Sequence, residues 1–563
     1  MKAFTEPLLS LAGFEEMTKT AEKSSGLISV TGCIDAQKSQ MIYAFGGHRK
    51  NKLIVTFGEQ KAKELYDEYS FFDKEVVYYP SKDVLFYQSD IRGNLLTAER
   101  IRALKAIREK ESVTLVTTFD ALMNTMAPIE KMWKNVLTLE QGQLLDLKGI
   151  QAALIRMGYE KEYQVQTMGQ FSVRGGILDV FPLTEENPIR IELWGDEIDT
   201  IRFFDCESQK SIENTDSVSI YPAAELVLSD EEKAGGIEKL KAEAKRVSDK
   251  LRKQMKTEEA HRVSVMADEL TEEWGELSMY AGMDAFLSYF FDERVGLLDY
   301  FNPSDSLIFF DELTRCTEQG KLTETEFSES MKQRLAMGYI LPGQMNGLFT
   351  EKEIVAKLEK YSCIALGALD NKANGLHQLG SYGIHCQSVS PYNNSFELLI
   401  KDLKRYKKNG YRVILLSGSR TRAKRLSEDI TDQGITCFYT ENYDHELSEG
   451  QIMVCYGKVR RGFEYPILKF AVITESDIFG AQQKKKKRHR TYEGEKIQSF
   501  TDLSVGDYVV HENHGLGIYR GIEKLEVDKK VKDYIKIEYQ GGSNLYILAT
   551  QLDMIQKYAG KDA

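Results

Sequence analysis

The residues best placed by type and spacing to do chemistry come early in the chain. The strand-like run GLISVT (26–31) leads into Gly32-Cys33-Ile34-Asp35-Ala36-Gln37-Lys38-Ser39 and then a helix-like stretch, the spacing of G-x-x-x-x-G-K-S/T. In a working loop of that type the second glycine lets backbone N–H groups curl round phosphates. The lysine reaches the terminal phosphates and the hydroxyl binds magnesium. Here Gln37 stands where glycine is needed, and Asp35 puts negative charge inside an anion site. Far downstream, Ile308-Phe309-Phe310-Asp311-Glu312 has the form of the second half of such a site, an apolar strand ending in carboxylates. We read Gly32, Gln37, Lys38 and Ser39 as a degenerate nucleotide loop that keeps its strand-loop-helix shape without productive nucleotide binding. No catalytic residue is assigned.

The remaining constellations belong to binding rather than catalysis. Arg174 in VRGG, Arg190 in PIRIEL and Trp194 in IELWGDE are of the types that anchor protein interfaces, joining broad contact area to directional hydrogen bonding. On the residues alone, a turn at Arg174–Gly176 and packing of Trp194 in a sheet is the simpler account. One dense basic run, KKKKRHR at 484–490, reads first as a solvated linker held open by self-repulsion, with a DNA-phosphate-contacting arm as the alternative. His511 and His514 form an H-x-x-H pair with no third ligand nearby, so turn and packing roles are preferred and no metal site is assigned. The seven cysteines are scattered with no C-x-x-C pair, which fits a reducing cytoplasm.

These residues need several domains to hold them, since 563 residues exceed what one core supports. Hydrophobic residues at 42% and only ten prolines describe folded domains without long low-complexity tracts. A net charge of -12 opposes a whole-surface grip on DNA and confines any nucleic-acid contact to local patches. The N-terminal residues lack the order of a signal peptide, and no apolar run approaches the ~18 residues of a membrane span. NKLIVTFG, VVYYP and SVTLVTT alternate with helix-like segments, as a parallel α/β sheet requires. FSVRGGILDVFPL, IRIELWGDEI and TIRFFD are strands separated by turns, a small α+β insert, and SLIFFDEL returns to the buried-strand type. A second α/β unit follows, from FELLIKDLKRYKKNG to KFAVITES. From Phe500 short strands suggest a small barrel.

GLISVTG, the block FSVRGGILDVFP with IRIELWGDEIDTIRFFD, and RLAMGYILPG (334–343) together resemble the excision-repair protein UvrB. The stretch VGDYVVHENHGLGIYRGIEKLE resembles the CarD-type RNA-polymerase-interacting domain. Both in this order, with a family-specific α/β domain and a basic linker between them, resemble the front part of the bacterial transcription-repair coupling factors. The fold this implies is multidomain α/β: a UvrB-like degenerate P-loop domain with an α+β insert, a second small α/β domain and a C-terminal CarD/Tudor-like small β-barrel. The expected boundaries are 1–125, 126–225 (insert), 226–384, 385–480, a linker at 481–498 and the polymerase-interacting domain at 499–558. The resemblance implies UvrA binding through Arg174, Arg190 and Trp194, and binding of the RNA polymerase β subunit through Leu525 and Tyr546. It also implies a motor, with its ATP and magnesium, beyond Ala563, so that the chain reads as a fragment without cofactor or catalysis of its own. Two departures from UvrB matter. The nucleotide loop is damaged, and between VVYYPSKDVLFYQSD and TAERIRALKAI there is no room for a long aromatic hairpin, which puts lesion detection in doubt. The rival readings are a UvrB-like ATPase with an unorthodox loop and a stand-alone DNA-binding transcription regulator.

Overall fold

Strands buried on both faces read as near-continuous apolar runs, and three strands of the first sheet are of this buried kind. Val113–Thr118, Ser306–Asp311 and Ser362–Leu366 are buried at every position. In the computed structural model they belong to a seven-stranded sheet in which every pairing is parallel. Its order is Gln378–Gly383, Gly26–Thr31, Ser362–Leu366, Ser306–Asp311, Asn51–Thr56, Val113–Thr118 and Val77–Tyr79. Alternate residues feed two cores: Leu53, Leu115, Ile308 and Phe310 on one side, Ile54, Val116, Phe309 and Ile364 on the other. Parallel strands bring their carboxyl ends to one rim, so the segment after Thr31 and the pair Asp311-Glu312 emerge together.

The structure describes residues 1–563 except 47–48, 83–93, 207, 277–282, 371–374, 481–493, 497–502, 512–514, 528–529, 540–543, 549–554 and 559–563. Side chains are also undescribed at 94, 273, 275–276, 284, 494–496, 511, 515, 524–527, 530–533, 544, 548 and 558. The stretch to which the missing-hairpin argument applies and the basic run at 484–490 therefore lie outside the described residues, as does His514.

The insert leaves and re-enters the first unit through an antiparallel pair, Leu137–Glu140 with Ser217–Ile220. Between these lies a six-stranded sheet ordered Ser211–Thr215, Glu197–Phe204, Ile189–Trp194, Ile177–Val180, Gln170–Arg174 and Glu160–Lys161. All neighbours are antiparallel except the last pair. Leu178, Ile189, Ile191, Ile198 and Ile201 bury one face with Ile150 and Leu154 of helix Leu147–Arg156. The other face carries the arginines. A helical pair follows, Asp230–Lys253, started by a capping box of Ser229 and Glu232, and Thr257–Glu276.

The second α/β sheet is ordered Gln387–Ser388, Phe463–Tyr465, Phe470–Thr474, Arg412–Ser417, Ile452–Tyr456 and Phe438–Tyr439, the last four strands parallel. Val413, Leu415, Val454 and Ile473 pack under helices Phe396–Lys408 and Arg420–Asp432. Their alternates Ile414, Leu416, Met453 and Val472 join the same core as Phe4, Met41 and Phe309. The second unit thus has its own helices on one face only, and the first unit covers the other. The N-terminal helix Lys2–Leu9 is wedged into this joint: Phe4 meets Phe71 and Phe72 edge-on, and Ala3 N donates to the Tyr443 carbonyl at 2.9 Å.

The C-terminal sheet is antiparallel and six-stranded, ordered Gly494–Lys496, Ile555–Tyr558, Tyr508–His511, Gly515–Val527, Lys530–Glu538 and Asn544–Leu548. Val509, Tyr519, Ile535, Ile537, Ile547 and Ile555 are its core. The long strand shifts register between Tyr519 and Gly521, where Gly521 has φ +103°, a bulge only glycine takes without strain. Among the described residues the two edge strands do not pair with each other to close a barrel.

Candidate functional site

At the rim of the first sheet, helix Asp35–Phe45 begins three residues before Lys38, so Gln37, Lys38 and Ser39 lie inside a helix and are buried. Lys38 Nζ lies 2.5 Å from Asp311 Oδ1, 3.1 Å from Glu312 Oε1 and 3.0 Å from Asp35 Oδ1. Thr56 Oγ1 donates to the second Asp311 oxygen at 2.9 Å, and Lys61 meets Asp35 at 2.9 Å. Burial alone would lower the Lys38 ammonium, but the carboxylates of Asp311, Asp35 and Glu312 outweigh it and hold it above its ordinary value. Burial likewise would raise Asp35, yet Lys38 and Lys61 hold it down to about 2. The lysine of the degenerate loop is thus already neutralised by the carboxylates that would serve magnesium.

The rest of the loop is equally occupied. Gly32 has φ +77°, and a Cβ there would stand 2.1 Å from the Ile384 carbonyl oxygen, so the loop backbone is sealed by the segment leading into the second sheet. Gln37, at the glycine position, accepts a hydrogen bond from Tyr465 Oη at 3.3 Å, and Gln40 accepts from the same hydroxyl at 3.2 Å. Gln40 Nε2 donates to the Phe4 carbonyl at 2.5 Å. Among the described residues, Ser39 Oγ, where magnesium would bind, is buried without a hydrogen-bond partner. A buried hydroxyl left without a partner costs stability.

The polar face of the insert sheet brings two of the sequence-selected residues together. Arg190 sits directly opposite Asp179 in the strand register. Its Nε and Nη2 donate to the two Asp179 oxygens at 2.7 and 2.8 Å, and Nη2 also reaches Gln209 Oε1 at 2.8 Å. Arg174 Nη2 reaches the same carboxylate at 3.0 Å. Asp179 is 2% exposed, Arg190 13% and Arg174 36%, so Arg174 is the guanidinium with surface to offer. Hydrogen bonding to Asp179, opposed in part by burial, raises Arg190 further above its ordinary value. Trp194, at the end of the same strand, is 83% exposed, as is Tyr163, whose ring centroid lies 5.9 Å from the Arg174 guanidinium. Beside them Glu192 and Arg202 form a further pair at 2.5 Å. Asp179, Tyr163 and Gln209 were missed from sequence. The alternation in GILDVF, which turns Leu178 to the core and Asp179 away from it, was the available signal.

On the C-terminal sheet, Tyr546 Oη donates to Glu523 at 3.1 Å, and Glu523 also holds Lys536 at 2.6 Å. Leu525 lies on strand Gly515–Val527 with its backbone opposite Lys532, and its side chain lies outside the described residues. Among the described residues no helix is long and apolar enough to cross a membrane.

Comparison with known proteins falls on these same surfaces. Residues 137–226 match the UvrB interaction domain, and residues 503–559 match the CarD-like/TRCF RID domain. The chain is 31% identical over 513 residues to the transcription-repair-coupling factor of Bacillus subtilis, covering 90% of this chain and 43% of that protein. It is 30% identical over 548 residues to that of Staphylococcus epidermidis (95% and 45%) and 28% identical over 564 residues to that of Staphylococcus aureus (98% and 46%). The chain therefore spans less than half the length of these relatives.

Proposed function

The chain belongs to the transcription-repair-coupling factors, and from that premise we propose that it is an adapter with two protein-binding ends. The insert sheet recruits UvrA through Arg174 and Trp194, with Arg190 holding the shared carboxylate. The C-terminal sheet docks on the β subunit of RNA polymerase through Leu525 and Tyr546. In the whole protein, ATP-driven movement on DNA resides in the half of the relatives that this chain does not span, and the first sheet takes no part in hydrolysis. The observation that carries this reading is the coincidence of the UvrB interaction domain match with a sheet that offers a part-open arginine, Arg174, beside the exposed Tyr163, and a second exposed aromatic, Trp194, two strands away. Large aromatic and arginine side chains left on a surface are the usual anchors of a protein interface.

The contact on Glu523 supports the other end, because it orders Tyr546 at an edge strand, where a partner strand can add by backbone pairing. The test is capture of the chain on purified UvrA and, separately, on purified polymerase β subunit. Binding to both is expected. Binding to neither, with nucleotide bound instead, would favour a UvrB-like ATPase, and DNA binding alone would favour a stand-alone regulator.

A further inference from the structure

The outer layer of the second α/β unit inverts the charge of the molecule around it. From Phe396 to Asp432 the chain carries ten Lys and Arg against five Asp and Glu, a net of +5 in a protein of net -12. This stretch is the two helices that cover the free face of the second sheet, with the strand between them. In helix Phe396–Lys408 the inward positions are Leu399, Ile400, Leu403 and Tyr406, which leaves Lys401, Lys404, Arg405 and Lys408 along one exposed stripe. Lys401 and Arg405, and Lys404 and Lys408, are like charges four residues apart, an arrangement that weakens a helix in isolation. The dipole at the helix C-terminus favours cations in the last turn but does not account for Lys401 and Lys404.

Helix Arg420–Asp432 carries its cations at the wrong end for its own stability. Arg420, Arg422, Lys424 and Arg425 crowd the first two turns, where a helix favours anions, and its first turn has no acidic residue. Arg420 and Arg422 are offset by Glu441 and Glu475. Lys401, Lys404, Lys407, Lys408, Lys424 and Arg425 are exposed and have no carboxylate partner among the described residues.

We propose that this two-helix layer, residues 396–432, is a contact surface for the phosphate backbone of duplex DNA. A run of exposed cations without carboxylate partners can neutralise phosphates and release their counterions, which is what drives backbone binding. A protein partner would call for apolar or aromatic anchors, and the layer presents only Leu398. Backbone binding needs none. The surface gives the second α/β unit a role, and it does not depend on the adapter reading.

The test is fluorescence anisotropy of the full chain with a mixed-sequence duplex across a salt series. The variants are Lys401→Ala/Lys404→Ala/Lys408→Ala, Lys424→Ala/Arg425→Ala, and a control that replaces the lysines at 484–487 by alanine. Alanine suits helix interiors, and thermal melts verify the fold. Wild-type binding should weaken with salt, and the triple variant should bind about ten-fold more weakly with a log-log salt slope shallower by about 2–3. Absence of duplex binding by the wild type, unchanged affinity and slope in both helix variants, loss confined to the 484–487 control, or stronger binding to polyglutamate than to duplex would each overturn the proposal.

Discussion

Two clusters of cations and carboxylates in this molecule are built from the same chemistry and end in opposite states. At the rim of the first sheet one buried lysine faces three carboxylates, Asp35, Asp311 and Glu312. On the insert two arginines share one buried carboxylate, Asp179. In the first, the buried lysine is surrounded by carboxylates, Ile384 closes on the loop backbone at Gly32 and Tyr465 holds the Gln37 side chain. In the second, cation exceeds anion and the surplus, on Arg174, stays partly open beside an exposed tyrosine, Tyr163. Which side is in excess, and whether it faces solvent, separates a constellation that holds the fold from one that can hold a partner.

The largest effect that tests this contrast is on stability. Lys38→Met should cost about 3–5 kcal/mol, because it leaves Asp311 buried without its counter-charge. Urea unfolding would measure it, and an unchanged midpoint would mean the lysine is available for another task. Arg174→Ala with Arg190→Ala should weaken UvrA binding by about 2 kcal/mol or more by calorimetry, and should also destabilise the insert by stranding Asp179. Adding Asp179→Asn should restore the melting temperature without restoring UvrA affinity. If affinity returns together with stability, the arginines act on the fold alone.

A smaller effect is expected at the joint between the two α/β units. Burial lifts the Glu68 carboxyl to about 7, against the opposing pull of Arg460 and Lys61. Because its folded value lies above its unfolded one, the folded protein keeps this proton longer, and stability falls as pH rises from about 4.5 to about 7. Glu68→Gln, which preserves the neutral form, should gain about 1–3 kcal/mol above that window and nothing below it. A gain independent of pH would assign the effect to packing. The smallest expected effect is zero: ATP hydrolysis should stay at background in the wild type and in Gln37→Gly. Turnover that Lys38→Ala abolishes would contradict the reading of the rim cluster.

Much of this was legible in the residues, and what was not has a physical reason. The spacing around Lys38 is local, so the departure at Gln37 could be read directly. What Gln37 does could not, because its partner Tyr465 stands 428 residues away. Strands such as RVILLS carry four consecutive apolar residues, which indicates burial on both faces without saying what covers each. That the first unit covers one face of the second sheet was therefore invisible. Arg174, Arg190 and Trp194 were selected by residue type and by resemblance, whereas Asp179, which pairs with both arginines, passed as one acidic residue among many. The C-terminal sheet could be read as short strands between turns, but pairing alone reveals the order of its edges.

The central claim is that two separate surfaces on this chain bind two separate partners. It is tested most directly by calorimetry of the Arg174→Ala and Leu525→Arg variants against purified UvrA and against the polymerase β subunit. Replacing an apolar contact by arginine would bury an unpaired charge and should erase micromolar binding. The account predicts a crossed pattern, in which Arg174→Ala weakens UvrA and spares β, while Leu525→Arg abolishes β binding and spares UvrA. Wild-type affinity of Leu525→Arg for β, or loss of both partners in either folded variant, would contradict it.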